Sequence, residues 1–276
     1  MSGYSLRRHV RPLAAGATHW HVRRIVRSPV LPVNLVLFDP NELAAPLPRT
    51  DRRAVHVLQV LRRQVGDAFD AGLVNGPRGK ATVTDITADH LALTFVATTP
   101  PPVAPPITLL VGLPRPQTAR DVLRDATTVG VGAIHFVRTE KGESSYAQSS
   151  LWSSGEWRRH VLAGAEQAFV TQVPEVTHGR TIAEVLKETC PAPAAGVSAG
   201  AAVRLTLDNY EAARPLAAAA PRRGSPVVLA IGSERGWSAA ERVLLRDHGF
   251  TFVHLGERVL RTETAVIAAL SLLLLH

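Results

Sequence analysis

From residue 107 onward, continuous apolar runs alternate with stretches whose apolar residues recur every three or four positions. The runs ITLLVGLP (107–114), AIHFVRT (133–139), VRLTLD (203–208), SPVVLAIG (225–232) and FTFVHLG (250–256) are short and nearly uninterrupted. They fit strands covered on both faces, which need no polar side. Between them, residues 118–131, 151–169, 181–189, 238–249 and 264–275 carry helical patterning. The 238–249 stretch has Ser238 as a cap, Glu241 three residues later and Gly249 at its end, a capping box closed by a glycine. Strands alternating with helices predict an α/β fold built on a parallel sheet.

The first part of the chain has a different rhythm. NLVLFD (34–39) predicts a short strand, and residues 52–63 predict one helix with arginine at both ends. VGDAFDAGLV, KATVTDIT and HLALTFVAT follow as β-type runs, with the turn NGPRGK between the first two. Residues 34–98 therefore read as a small β-rich domain. Residues 99–106, TPPPVAPP, can continue neither a helix nor a central strand, so they predict a linker, with the α/β domain occupying 107–276.

Charge sharpens this picture. The 276 residues carry a formal net charge of +8, and lysine occurs only at Lys80, Lys141 and Lys187, so the excess is arginine. Planar guanidinium forks bind phosphate oxygens in pairs, which points to a nucleic acid; a GC-rich genome enriches arginine and alanine equally well. The candidate phosphate ligands are Arg52, Arg53, His56, Arg62 and Arg63 in the first domain, and Arg115, Arg120 and Arg124 after the linker. Such contacts grip the backbone without reading sequence. Cys190 is the single cysteine, so no disulfide forms within the chain, and the eleven histidines lack metal-ligand spacing. The longest apolar run, 265–275, is too short to cross a bilayer. Residues 1–33 contain no Asp or Glu and six arginines at 7, 8, 11, 23, 24 and 27. They fit an organellar transit peptide, a basic RNA-binding arm, or translation assigned too far upstream.

Chemistry should sit beyond the carboxyl ends of the strands, where α/β sheets bind ligands. Two of those ends carry glycine, in AIGSERGWS (230–238) and HLGERVLRTET (254–264). Neither is a dinucleotide fingerprint or a phosphate loop, so nucleotide hydrolysis is unsupported. Thr262 or Thr264 could cap the last helix and Glu263 would favour its positive end, but Arg261 should be repelled there. His254 reads as a packing residue.

VLAIGSERGWSAAE followed by GFTFVHLGERVLRTETA resembles the signature of the bacterial small-subunit ribosomal RNA uridine-N3 methyltransferases, whose pattern is IGPEGG and then LG-x-R-[IV]-LR-x-ETA. Residues 56–83, 113–146 and 165–176 extend the resemblance, which covers about 34–276. It implies a trefoil-knotted α/β methyltransferase of the SPOUT class preceded by a PUA-like β-barrel domain, S-adenosylmethionine as cofactor, and a homodimer. The substrate would be small-subunit ribosomal RNA or the small subunit itself, in the cytoplasm, or in an organelle if 1–33 is a transit peptide. Leu207, Ile231, Gly232, Glu234, Gly236, Leu255, Gly256, Val259, Leu260, Thr262 and Thr264 would build the cofactor pocket. Arg261 would stabilise charge developing on the uracil ring, and Glu234 or Glu263 would orient it or accept the N3 proton. Glu166 and Gln167 would either line the site as well or lie on a solvated helix face. Ser233 stands where the family has proline, Arg235 where it has glycine, and Gln117 where the family branch that this sequence most resembles has lysine. Those departures keep two alternatives open: methylation of another RNA position, or a silent RNA-binding or ribosome-assembly factor.

Overall fold

The computed structural model describes residues 35–191 and 202–275; the basic segment 1–33 lies outside the described residues. Residues 33–276 form one compact unit that contains two sheets. The smaller part is a five-stranded sheet of β1 (Val36–Phe38), β2 (Leu47–Pro48), β3 (Ala68–Leu73), β4 (Arg78–Ile86) and β5 (His90–Thr99), in the order β1-β3-β4-β5-β2. β1 runs parallel to β3, the other pairs are antiparallel, and β1 and β2 are the edges. Alternation along β4 turns Ala81 and Val83 onto a core with Phe38, Phe69 and Leu91.

The helix expected over 52–63 is cut short. α1 spans only Arg52–Val55, with the Asp51 side chain accepting from the Arg53 N–H, and a π-helical turn carries His56–Val60 before the chain turns at Arg62 (φ 54°). Residues 100–106 run without helix or strand. β5 keeps Thr99, so the proline segment starts one residue later than expected.

The larger sheet has seven strands: β6 (Ile107–Gly112), β7 (Ala133–Arg138), β8 (Glu175–Thr181), β9 (Val203–Leu207), β10 (Arg214–Pro215), β11 (Val227–Ile231) and β12 (Thr251–His254). Every pair is parallel, in the order β10-β12-β9-β11-β6-β7-β8. Leu109, Val111, Leu229 and Ile231 face one layer of helices; Leu110, Val228 and Ala230 face the other. That two-sided burial is why these strands read as unbroken apolar runs. The first layer holds α2 (Pro116–Val129), α3 (Ser150–Ser153), α4 (Glu156–Ala168), α6 (Leu216–Ala219) and α8 (Thr262–Leu275); the second holds α5 (Ile182–Thr189) and α7 (Ala239–Asp247).

The single helix expected over 151–169 is two helices. Gly155 adopts φ 74° between α3 and α4, a conformation that glycine reaches without steric cost. β8 was not anticipated: it is an edge strand whose residues are half-buried or exposed, so it carries no apolar run.

α4 also joins the two sheets. Leu35, Leu37 and Ala165 form a shared apolar cluster, and Glu166 accepts from the Leu37 N–H and pairs with Arg52 at 3.5 Å. Arg78 donates to the Phe169 carbonyl at 2.6 Å and lies over its ring, and Thr171 donates to the Gly76 carbonyl at 2.6 Å. Glu166, expected at the site, is thus engaged in joining the sheets.

Candidate active site

Three neighbouring strands, β12, β9 and β11, deliver the two glycine loops to one edge of the sheet. The register sets Leu207 opposite Ile231 on one side and Val253 on the other. Leu207, Ile231 with Gly232, and Leu255 with Gly256 therefore lie at adjacent strand ends, spanning two strand spacings of about 10 Å. The first loop turns back at once: the Gly236 N–H donates to the Ser233 carbonyl at 2.8 Å and Gly236 adopts φ 67°. A Cβ on Gly232 would lie 2.9 Å from Gly236 Cα, so only glycine permits that close return.

Loops from β6 and β7 brace this turn. A Cβ on Gly112 would lie 2.4 Å from the Ser233 nitrogen and 3.0 Å from Thr139 Cγ2. Glu234 Oε1 accepts from the Arg115 N–H at 2.9 Å and lies 3.5 Å from Arg115 Nε. Glu241 completes the capping box of α7 and its other oxygen accepts from the Glu140 N–H at 2.8 Å; Lys141 Nζ donates to the Trp237 carbonyl at 2.9 Å. Trp237 is fully buried and its indole N–H donates to Thr206 Oγ1 at 3.0 Å. Ser233 is buried with a hydroxyl that finds no partner among the described residues. A buried hydroxyl left unpaired is costly, so it marks a place where a bound group can be accepted.

The second loop is open. Gly256 (φ 112°) turns the chain, residues 256–259 and Arg261 are exposed, and Val259 is 80% exposed. Among the described residues, no backbone N–H of residues 257–260 has an acceptor. α8 begins at Thr262, and the Arg261 carbonyl accepts from the Ala265 N–H at 2.8 Å. The residue preceding the helix is Arg261 itself; Thr262 is buried in the first turn, and Glu263 and Thr264 follow it. Neither threonine takes the expected capping position. Glu234 is bonded to Arg115 and forms no hydrogen bond or ion pair with Arg261 among the described residues.

The expected phosphate ligands divide. Arg53 is withdrawn: it is largely buried and paired with Glu42 and with Asp51 (2.8 Å), with its guanidinium against the Phe38 ring. Arg120 binds Glu156 at 2.8 Å, and with His160 it holds that carboxyl down at about 2. Arg124 is tied to Asp125 and Asp121. Sequence spacing placed Arg120 and Arg124 on one helix face, but it could not show the acids that neutralise them. His56 is half-buried in the π turn; Arg52, Arg62 and Arg115 are exposed; and Arg63 is half-buried with Nε unpartnered. Arg115 alone of that set touches the glycine loops.

Two features were missed. Asp208, directly after β9, is buried, accepts from the N–H groups of Tyr210 and Glu211 at 2.8 Å, and pairs with Arg242 of α7 at 2.7 Å. It fixes the third loop at this edge; its only signal was an acid at a strand end. A cavity of about 620 Å³ opens beside the glycine turn between α5, α7 and the β7 loop, lined by Leu113, Thr139, Ile182, Glu241 and Leu244 among others. No group of three or more potential metal ligands occurs among the described residues.

This arrangement has relatives. The RNA methyltransferase domain family matches residues 101–274. Ribosomal RNA small subunit methyltransferase E of Treponema pallidum is 36% identical over 246 residues, covering 88% of this chain and 91% of that protein. The chain belongs to the ribosomal RNA small subunit methyltransferase E family. Methyltransferase E 1 of Borreliella burgdorferi is 24% identical over 243 residues, covering 86% and 95%. The crystal structure of a methyltransferase E from Neisseria gonorrhoeae bound to S-adenosyl methionine superposes with a TM-score of 0.66 at 22% identity, covering 86% of this chain and 95% of that one. The family fold thus extends over both sheets.

Proposed function

We propose that this protein transfers the methyl group of S-adenosylmethionine to N3 of a uridine in small-subunit ribosomal RNA. The observation that carries this reading is the meeting of the braced glycine turn and the open Arg261 loop at the ends of β11, β9 and β12. The residues there fit the cofactor: glycines that admit a ligand against backbone, and N–H groups at 257–260 and a Ser233 hydroxyl that have no partner among the described residues. Leu207, Ile231, Gly232, Gly236, Leu255, Gly256, Val259 and Leu260 would hold it, with Thr262 and Thr264 shaping the turn into α8. When bound, it supplies an electrophilic methyl group.

The protein must then make uridine N3 nucleophilic, because that nitrogen carries a proton at neutral pH. Arg261, exposed at the same edge, stabilises negative charge as it develops on the ring oxygens. Glu263, beside it in the first turn of α8, accepts the proton. Arg52, Arg62, Arg63 and Arg115 grip phosphates without reading sequence.

The strand order supports a knotted chain: β11 inserts between β9 and β6, and β12 then crosses to the far side of β9. The smaller sheet is read as a PUA-like RNA-binding unit. Beyond its first turn α8 is apolar except for Ser271 and leaves Leu272 39% exposed, which supports a homodimer formed through this helix. No helix of the described residues is long and apolar enough to cross a membrane. A ribosomal substrate is met in the cytoplasm, or in an organelle if residues 1–33 are a transit peptide.

The deciding experiment is transfer of labelled methyl to small ribosomal subunits that lack the modification, with the product nucleoside identified by mass spectrometry. N3-methyluridine is expected. A different methylated nucleoside would overturn the N3 assignment, and absence of both transfer and cofactor binding would overturn the enzymatic reading.

A further inference from the structure

The glycine turn carries a carboxylate whose partner lies 119 positions away. Glu234 Oε1 accepts from the Arg115 backbone N–H at 2.9 Å and sits 3.5 Å from Arg115 Nε. Arg115 occupies the position before α2, whose first turn begins with Pro116, and no side chain of that segment caps the helix. Glu234 supplies the missing acceptor from another loop, at the end where α2 favours negative charge. One oxygen thereby holds the main chain of Arg115 and lies within ion-pair distance of its side chain. The rest of that guanidinium stays available: the Arg115 side chain is 64% exposed, and its Nη groups have no partner among the described residues. Arg235, next along the turn, is also exposed and has no partner among them. The Arg115 guanidinium thus lies beside Glu234, and an exposed arginine follows it in the turn.

We propose that Glu234 is a positioning residue, which holds Arg115 so that its guanidinium, together with that of Arg235, binds the RNA phosphate next to the target nucleotide. Both contacts fall on Oε1, so the carboxylate serves Arg115 through that oxygen, and the pH profile below tests whether it also moves a proton. The inference rests on the RNA-methylating reading and adds to it the residue that orients the backbone ligand.

The test measures binding of fluorescently labelled small-subunit ribosomal RNA to the full chain, together with cofactor binding, turnover and its pH profile. Arg115→Ala and Glu234→Ala should each weaken RNA binding about tenfold, and the double variant should be no weaker than either alone, as for residues acting as one unit. Arg115→Ala keeps the backbone N–H that Glu234 holds, so that variant should leave cofactor affinity within about threefold. Glu234→Gln keeps an acceptor for the Arg115 N–H, so it should retain RNA binding close to that of the wild type and an unchanged pH profile. Additive losses in the double variant would overturn the proposal. So would a Glu234→Gln variant that binds RNA normally but loses turnover with an altered pH profile, since the carboxylate would then move a proton. RNA binding is read directly, so the coupling is tested even if the methylated position differs from uridine N3.

Discussion

Arg261 and Arg53 show how differently two arginines of similar sequence context behave. Arg53 is enclosed, and Glu42 and Asp51 are held below their ordinary values of 4.5 and 3.8, chiefly by hydrogen bonds from Arg53, with burial opposing. A depressed carboxylate stabilises the fold above its unfolded-state value, and that stabilisation is lost as pH falls through the folded-state value. The melting temperature should therefore be level above pH 5 and decline below about 4.5. Arg53→Ala should melt lower at pH 7 and decline less steeply in acid; parallel curves would show that the trio is not coupled. Arg261 is exposed at the loop edge, with only its carbonyl engaged in α8. Arg261→Ala should lower turnover by about 10²-fold while cofactor affinity changes little, as for loss of a group that acts on developing charge. Equal losses in both would reduce Arg261 to a wall of the pocket.

Elements whose burial matches their local pattern were readable. β6 and β11 are covered on both faces, so their runs are unbroken, and α7 carries both halves of its capping box in four consecutive residues. Elements set by a single backbone angle or by position in the sheet were not. The periodicity of 151–169 continues through Gly155, yet φ 74° there splits the helix; β8 lies at an edge and needs no apolar face. Helix contact also depends on positions that look neutral in sequence. A Cβ on Gly164 of α4 would lie 2.3 Å from the Arg124 carbonyl of α2. Gly164→Ala should therefore destabilise by about 1–3 kcal/mol in chemical denaturation, the usual cost of overpacking. No loss of stability would mean that α2 and α4 can part without cost.

At the scale of the molecule, the two sheets are joined through α4 and belong to one compact unit. A chain beginning at residue 34 should melt within about 2 °C of the full chain, as expected when no packed core is removed. A large drop in thermal stability would show that residues 1–33 pack on the fold. The sequence by itself determined the class of fold, the two glycine loops and the arginine beside the last helix. Two-sided burial, capping and the tight glycine turn all impose local residue choices that a linear pattern records. Only the tertiary structure decided which charges are free. Pairing Arg53 with Glu42, Arg120 with Glu156, and Arg115 with Glu234 depends on contacts between segments that are distant along the chain. Coulombic and hydrogen-bond partners are set by distance in space, and no periodicity encodes that distance.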